Sequence, residues 1–147
     1  MLQKAQDFLN KEYNSILYQE DVISSWQSQI KTNMLKFGES IKKHVSEGKT
    51  VVGYGVPTKA TLLTAISELS SSDISFMIED NELKINRFMP GSGIPILDAT
   101  QLYIKKPEVI VIFAWNFRDD IIAKLRKQID WPVSILVPLP EFIEESY

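Results

Sequence analysis

Three short segments concentrate the residues able to grip a ligand: Gly53-Tyr54-Gly55-Val56-Pro57-Thr58-Lys59, Glu79-Asp80-Asn81 and Ala114-Trp115-Asn116-Phe117. In the first, Gly53 and Gly55 let the backbone come close to a bound group. A helix starting behind them presents its N-terminal amides and roughly half a positive charge, which suit phosphate or carboxylate. Lys59 adds a full charge in the first turn of that helix. The dinucleotide fingerprint is incomplete because its third glycine is missing, and the Gly-Lys-Ser/Thr phosphate loop is absent. The segment therefore reads either as a ligand cradle or as a tight strand-to-helix turn. Glu79 and Asp80 stand where an acid can hold a ribose hydroxyl. They also suit the start of a turn, the preferred reading, since Asp-Asn is well adapted to it. Trp115 can stack on a base or a sugar, or belong to the core. Asn116 can bond a ligand, and it is also a good N-cap for the following helix, with Asp119 three residues on.

Other chemistry is poorly supplied. The single histidine, His44, lies beside Lys42 and Lys43 on a helix, and reads as a solvated position rather than a catalytic base. With one histidine and no cysteine, neither a disulfide nor a transition-metal site is expected. No Ser-His-Asp arrangement and no carboxylate pair suggest themselves as acid and base. No catalytic residue is assigned.

The elements that must position these segments follow from hydrophobic spacing. Leu2, Ala5, Leu9, Tyr13 and Ile16 recur at helical steps, as do Ile23, Trp26, Ile30, Met34, Phe37, Ile41 and Val45. Gly48 is a natural stop for the second stripe. Two amphipathic helices, or one bent one, are expected, with apolar faces that pack on the chain or on a partner. From Lys49 onward, β-rich runs alternate with helical periods. Strands are expected at 50–54, 74–78, 109–113 and 133–137, the last closing the sheet. Helices are expected at 58–69 and 117–129, with a short one opened by a capping box at Asp98–Gln101. A turn rich in proline and glycine leads to the short run Ile94-Pro95-Ile96. Such alternation implies a parallel sheet with right-handed crossovers. The expected fold is a Rossmann-like, three-layer α/β domain over 49–147, preceded by long helices over 1–48, one structural unit overall. With the 50–54 strand central, the three ligand-type segments fall at strand carboxyl ends around a topological switch point, where open α/β sheets bind ligands.

Composition sets the broad class. At 147 residues, with 24% charged and 44% hydrophobic residues, the chain is of one-domain size and able to bury a core. A net charge of −3, without a basic stripe carrying aromatics, argues against nucleic acid. The first residues lack a signal-peptide pattern and no apolar run reaches bilayer length, so a cytoplasmic protein without a membrane partner is expected.

In this order the segments resemble the C-terminal domain of the sugar C-methyltransferases, which use S-adenosylmethionine to methylate deoxysugars attached to a nucleotide. The Gly-Tyr-Gly-Ala-Pro-Ala-Lys-Gly turn of that family is matched by Gly53–Ala60, and its Thr-Leu-Leu helix by Thr61-Leu62-Leu63. Its Asp-Asn-Pro-x-Lys turn is matched by Asp80–Lys84, and Pro-Gly-Thr-x-Ile-Pro-Ile by Pro90–Ile96. Trp115-Asn116-Phe117 matches its Trp-Asn-Phe element. Val56, Ala60, Glu82 and Asn86 depart from the pattern. The resemblance implies a nucleotide-sugar wall formed by Gly53, Tyr54, Gly55, Pro57, Lys59, Asp80, Trp115 and Asn116. It also implies no cofactor in this chain. S-adenosylmethionine is then expected on an absent or separate methyltransferase domain, in cis or trans, as is the family's cysteine-rich zinc domain. The chain would be a piece of a longer enzyme, or a free-standing relative inactive alone. Other readings are an independent dinucleotide- or S-adenosylmethionine-binding enzyme, and an assembly module that forms a homodimer or docks a catalytic domain.

Overall fold

The computed structural model describes residues 2–15 and 19–147. They divide into two compact units, 1–32 and 33–147. The helical stripes are realised as α1, Leu2–Tyr13, and α2, Glu20–Ser46. Of these only α2, with 27 residues, is long; α1 has 12. Ile16, expected on the first stripe, lies outside the described residues. In the first unit Phe8, Leu9, Trp26 and Ile30 are exposed. In the second, Met34, Phe37 and Ile41 from the rest of α2 are buried. Gly48, at φ 79°, ends the helix, and its amide donates to Val45 O at 2.9 Å.

The second unit is a mixed α/β fold around a seven-stranded, mostly parallel sheet. Its strands are β1 Val51–Tyr54, β2 Phe76–Ile78, β3 Arg87–Phe88, β4 Pro95–Leu97, β5 Val109–Ile112, β6 Ser134–Val137 and β7 Ile143–Ser146. They lie in the order β3-β4-β2-β1-β5-β6-β7. The five inner strands run parallel, and the edge strands β3 and β7 pair antiparallel with β4 and β6. As expected, β1 is flanked by β2 and β5, with Gly53 level with both Met77 and Val111.

The sheet carries a core on each face. Val51, Val109, Val111 and Phe113 pack with Met34, Phe37 and Ile41 of α2 and with Ala60 and Leu63 of α3, Thr58–Ile66. Val52, Tyr54, Ile110 and Ile112 pack on the other face with Leu102 of α4, Thr100–Lys105, and Ile121, Ile122 and Leu125 of α5, Arg118–Gln128. Burial on both faces is why β1 and β5 read as unbroken apolar runs. Asp98 Oδ1 accepts the Thr100 amide at 2.8 Å and the Thr100 hydroxyl, tying down the first turn of α4.

Two expectations are corrected. The 133–137 strand is not the last, because β7 follows it. Ile143-Glu144-Glu145-Ser146 is too polar to signal a strand, but an edge strand pairs on one side only. That strand also explains His44, which is 5% exposed rather than solvated. Glu144 Oε1 lies 2.9 Å from His44 Nε2, and Glu144 Oε2 accepts the Ser40 hydroxyl at 2.8 Å. The Lys49 ammonium, which can only donate, lies 3.1 Å from His44 Nδ1, so Nδ1 accepts and Nε2–H donates to Glu144.

Two glycines are fixed by space. A Cβ on Gly53 would lie 2.2 Å from Met77 Sδ and 3.1 Å from Phe113 Cδ2. At Gly55, φ is +80° and a Cβ would lie 2.8 Å from that of Ala114. Gly53→Ala and Gly55→Ala should each destabilise the domain by about 1–3 kcal/mol, through overpacking at Gly53 and through strain plus the clash at Gly55. Urea denaturation of the two variants checks this.

Candidate functional site

The segments that follow β1, β2 and β5 meet at the carboxyl edge of the sheet. β1 ends at Tyr54, and the chain turns through Gly55, whose amide donates to Ile78 O at the end of β2 at 2.8 Å. The missing side chain of Gly55 lets this turn close on Ala114, just beyond β5. Pro57 then leads into α3 with extended backbone, and its carbonyl accepts the Ala60 amide at 2.8 Å. Lys59, in the first turn of α3, is thereby carried to the segment after β5.

Lys59 Nζ sits 3.7 Å above the centroid of the Trp115 ring and donates to Asn116 Oδ1 at 3.1 Å. Both partners are neutral, and among the described residues this ammonium pairs with no carboxylate. Trp115 packs at the margin of both cores, as its core reading expects, and offers its face to the Lys59 cation. Asn116 is not the N-cap of α5. A 3-10 turn, Trp115–Phe117, postpones that helix to Arg118, and Phe117 is the flanking residue. The Asn116 side chain is thus left to Lys59. Beside it lies an open depression of about 340 Å³ lined by Trp115, Asn116, Phe117, Arg118, Asp119 and Asp120.

The loop after β2 is held by Glu79, whose side chain is 14% exposed. Its Oε2 accepts the Val56 amide and the Lys84 ammonium, each at 3.1 Å. Its Oε1 accepts the amides of Asp80 at 3.0 Å and Asn81 at 3.2 Å. Lys84 also donates to Val56 O at 2.8 Å. The Asp-Asn turn forms as expected, with Asn81 Oδ1 accepting the Leu83 amide at 3.0 Å. Glu79 therefore joins the loops after β1 and β2, and both its oxygens are engaged.

On the other face of the sheet, Lys124 of α5 donates to the Tyr54 hydroxyl at 2.9 Å and lies 3.4 Å from Asp80 Oδ2. The Tyr54 ring is buried in the core, and its hydroxyl meets Lys124. Lys124 carries no mark in the sequence. It stands midway along α5 beside Ile121 and Leu125, and that stripe identifies only the buried face. Lys84, by contrast, is marked by the Asp80–Lys84 spacing. Of the residues singled out, Tyr54, Gly55, Pro57, Lys59, Asp80, Trp115 and Asn116 come together at this edge. Gly53 lies within the sheet, its space taken by Met77. Among the described residues no three His, Asp or Glu side chains gather as metal ligands.

Burial alone would raise the Glu79 carboxyl pKa. The Lys84 hydrogen bond, the Asn81 amide, the Lys84 charge and the Val56 amide together outweigh it and hold the group below its ordinary value. A lowered native pKa gives stability that is present above the unfolded value, about 4.3, and lost as pH falls through the native one. Glu79→Gln should cost about 1–3 kcal/mol at pH 7. The gap from wild type should shrink at about pH 3, below the ordinary glutamate range. Urea denaturation at both pH values checks the sign.

Comparison with known proteins shows the family. The family described as the C-methyltransferase C-terminal domain matches residues 2–140. C-methyltransferase NovU from Streptomyces niveus is 35% identical over 103 residues, which cover 70% of this chain and 24% of that protein. The aligned region thus spans about a quarter of the length of that relative. The chain belongs to the C-methyltransferase C-terminal domain family.

Proposed function

We propose that this chain is the substrate-binding domain of an S-adenosylmethionine-dependent sugar C-methyltransferase, holding a nucleotide-linked deoxysugar at the carboxyl edge of a Rossmann-like sheet. The observation that carries this reading is Lys59. Its ammonium is fixed over Trp115 and against Asn116 without a carboxylate to neutralise it, beside the start of α3. A cation positioned on neutral partners at a switch point is suited to an anionic ligand, and the indole edge next to it to a flat or sugar-like one. Membership of the family, and a curated relative named as a C-methyltransferase, support the reaction class. The methyl donor then belongs to another domain, in the same chain or a separate one, and the system works in the cytoplasm.

The geometry disfavours a dinucleotide or S-adenosylmethionine site in this chain. Of the two acids after β2 that could take ribose hydroxyls, Glu79 has both oxygens engaged by two loop amides, the Val56 amide and Lys84, and Asp80 faces the Lys124 ammonium at 3.4 Å. Isothermal titration calorimetry should detect uridine or thymidine diphosphate sugars at micromolar to millimolar affinity. Lys59→Ala should weaken binding about tenfold, the loss expected for one charge-assisted contact. No heat with any such sugar, or equal binding by the variant, would contradict the reading. NAD, NADP and S-adenosylmethionine should leave the melting temperature unchanged. A ligand at a hundred times its Kd would instead stabilise by about 2.7 kcal/mol.

A second reading, assembly through the N-terminal helices, is favoured by the exposure of Ile23, Trp26 and Ile30 at 38%, 45% and 48%. A 12-residue helix such as α1 is marginal in water unless something packs on it. Light scattering of the full chain should then give a homodimer, and the triple change Ile23→Ser, Trp26→Ser, Ile30→Ser should give a monomer. A monomer in both cases removes this reading.

A further inference from the structure

Lys59 accounts for one positive charge at the strand ends, but a second ammonium reaches the same edge from the opposite face of the sheet. Lys59 rises from α3, which packs with Val51, Val109 and Phe113; Lys124 comes from α5, which packs with Val52, Ile110 and Ile112. The two helices thus bring their lysines to the ends of β1 and β5 from opposite sides. The contacts of Lys124 are of unequal quality. Its bond to the Tyr54 hydroxyl is short, at 2.9 Å, and the phenol is anchored in the core. Its contact with Asp80 is long, at 3.4 Å, and the Asp80 side chain is 65% exposed. Ion pairs between exposed groups at such distances are weakly held and easily screened. The hydrogen bond to Tyr54 keeps the Lys124 pKa raised against the opposing effect of burial, with Asp80 adding to it. The phenol accepts from Lys124, so its own proton is left to donate outward.

We propose that Lys124, positioned by Tyr54, is a second anion-binding residue of this site, and that an incoming diphosphate displaces Asp80 from it. The inference rests on the nucleotide-sugar reading and narrows it. A ligand with two linked anionic centres would engage Lys124 in addition to Lys59, whereas a single phosphate would engage only one of them. Asp80 is then not a direct ligand contact. It is the counter-ion of Lys124, and it sets affinity by competing with the ligand for that ammonium.

Calorimetry on the full chain, with uridine diphosphate and uridine monophosphate as probes at low salt, tests this. Lys124→Met should weaken the diphosphate about tenfold and the monophosphate by less than twofold. Asp80→Asn should tighten the diphosphate several-fold, an effect that a damaged fold cannot produce. Tyr54→Phe should weaken it while circular dichroism stays unchanged. Wild-type binding of the diphosphate by Lys124→Met, or weaker binding by Asp80→Asn, would overturn the proposal. If Lys59→Ala abolishes binding while Lys124→Met does not, the nucleotide-sugar reading stands and this inference alone falls. If the wild-type chain binds neither probe nor any diphosphate sugar, both fall.

Discussion

The contact between Gly55 and Ala114 sets the geometry on which the rest of this edge depends. A turn that leaves β1 with a positive φ and no side chain can lie directly against the segment leaving β5. Any Cβ at Gly55 would push the two apart, and with them Lys59 and the Trp115-Asn116 pair. The close approach works because β1 is held in the centre of a parallel sheet and buried on both faces. The strand cannot shift to relieve strain at its end. Core packing and the placement of Lys59 against Trp115 and Asn116 are thus linked through a single turn.

Glu79 performs the corresponding task between β1 and β2. Its carboxylate gathers three backbone amides and the Lys84 ammonium, so the two loops behave as one structure. The consequence for function is indirect but definite. An acid so fully occupied is unsuited to read ribose hydroxyls, although its place directly after β2 suits that role. Two cations stand on aromatic partners at this edge: Lys59 on Trp115 on one side and Lys124 on Tyr54 on the other, the latter also facing Asp80.

Much of this was legible in the sequence, for identifiable reasons. The order of β2, β1 and β5 follows from alternating strands and helices, and β5 declares itself as an unbroken apolar run. The three strand-end segments could be placed because each directly follows such a run. The elements that escaped are those with little apolar signal. β7 is half acidic, and β3 consists of two exposed residues at an edge. Missing β7 also hid the partner of His44, since Glu144 lies on that strand. Lys124 escaped because a lysine on a helix looks alike whether it faces water or curls back to a tyrosine at a strand end. Asn116 has the right type for a cap, but a 3-10 turn intervenes before α5 begins.

Binding of a nucleotide-linked sugar where β1, β2 and β5 end is best checked by amide chemical-shift mapping with a uridine or thymidine diphosphate sugar. Concentration-dependent shifts are expected at Gly55, Lys59, Asp80 and Asn116, together with the Trp115 indole N–H. Shifts absent from these positions, or confined to the separate apolar pocket lined by Leu125, Ile129, Trp131 and Tyr147, would contradict it.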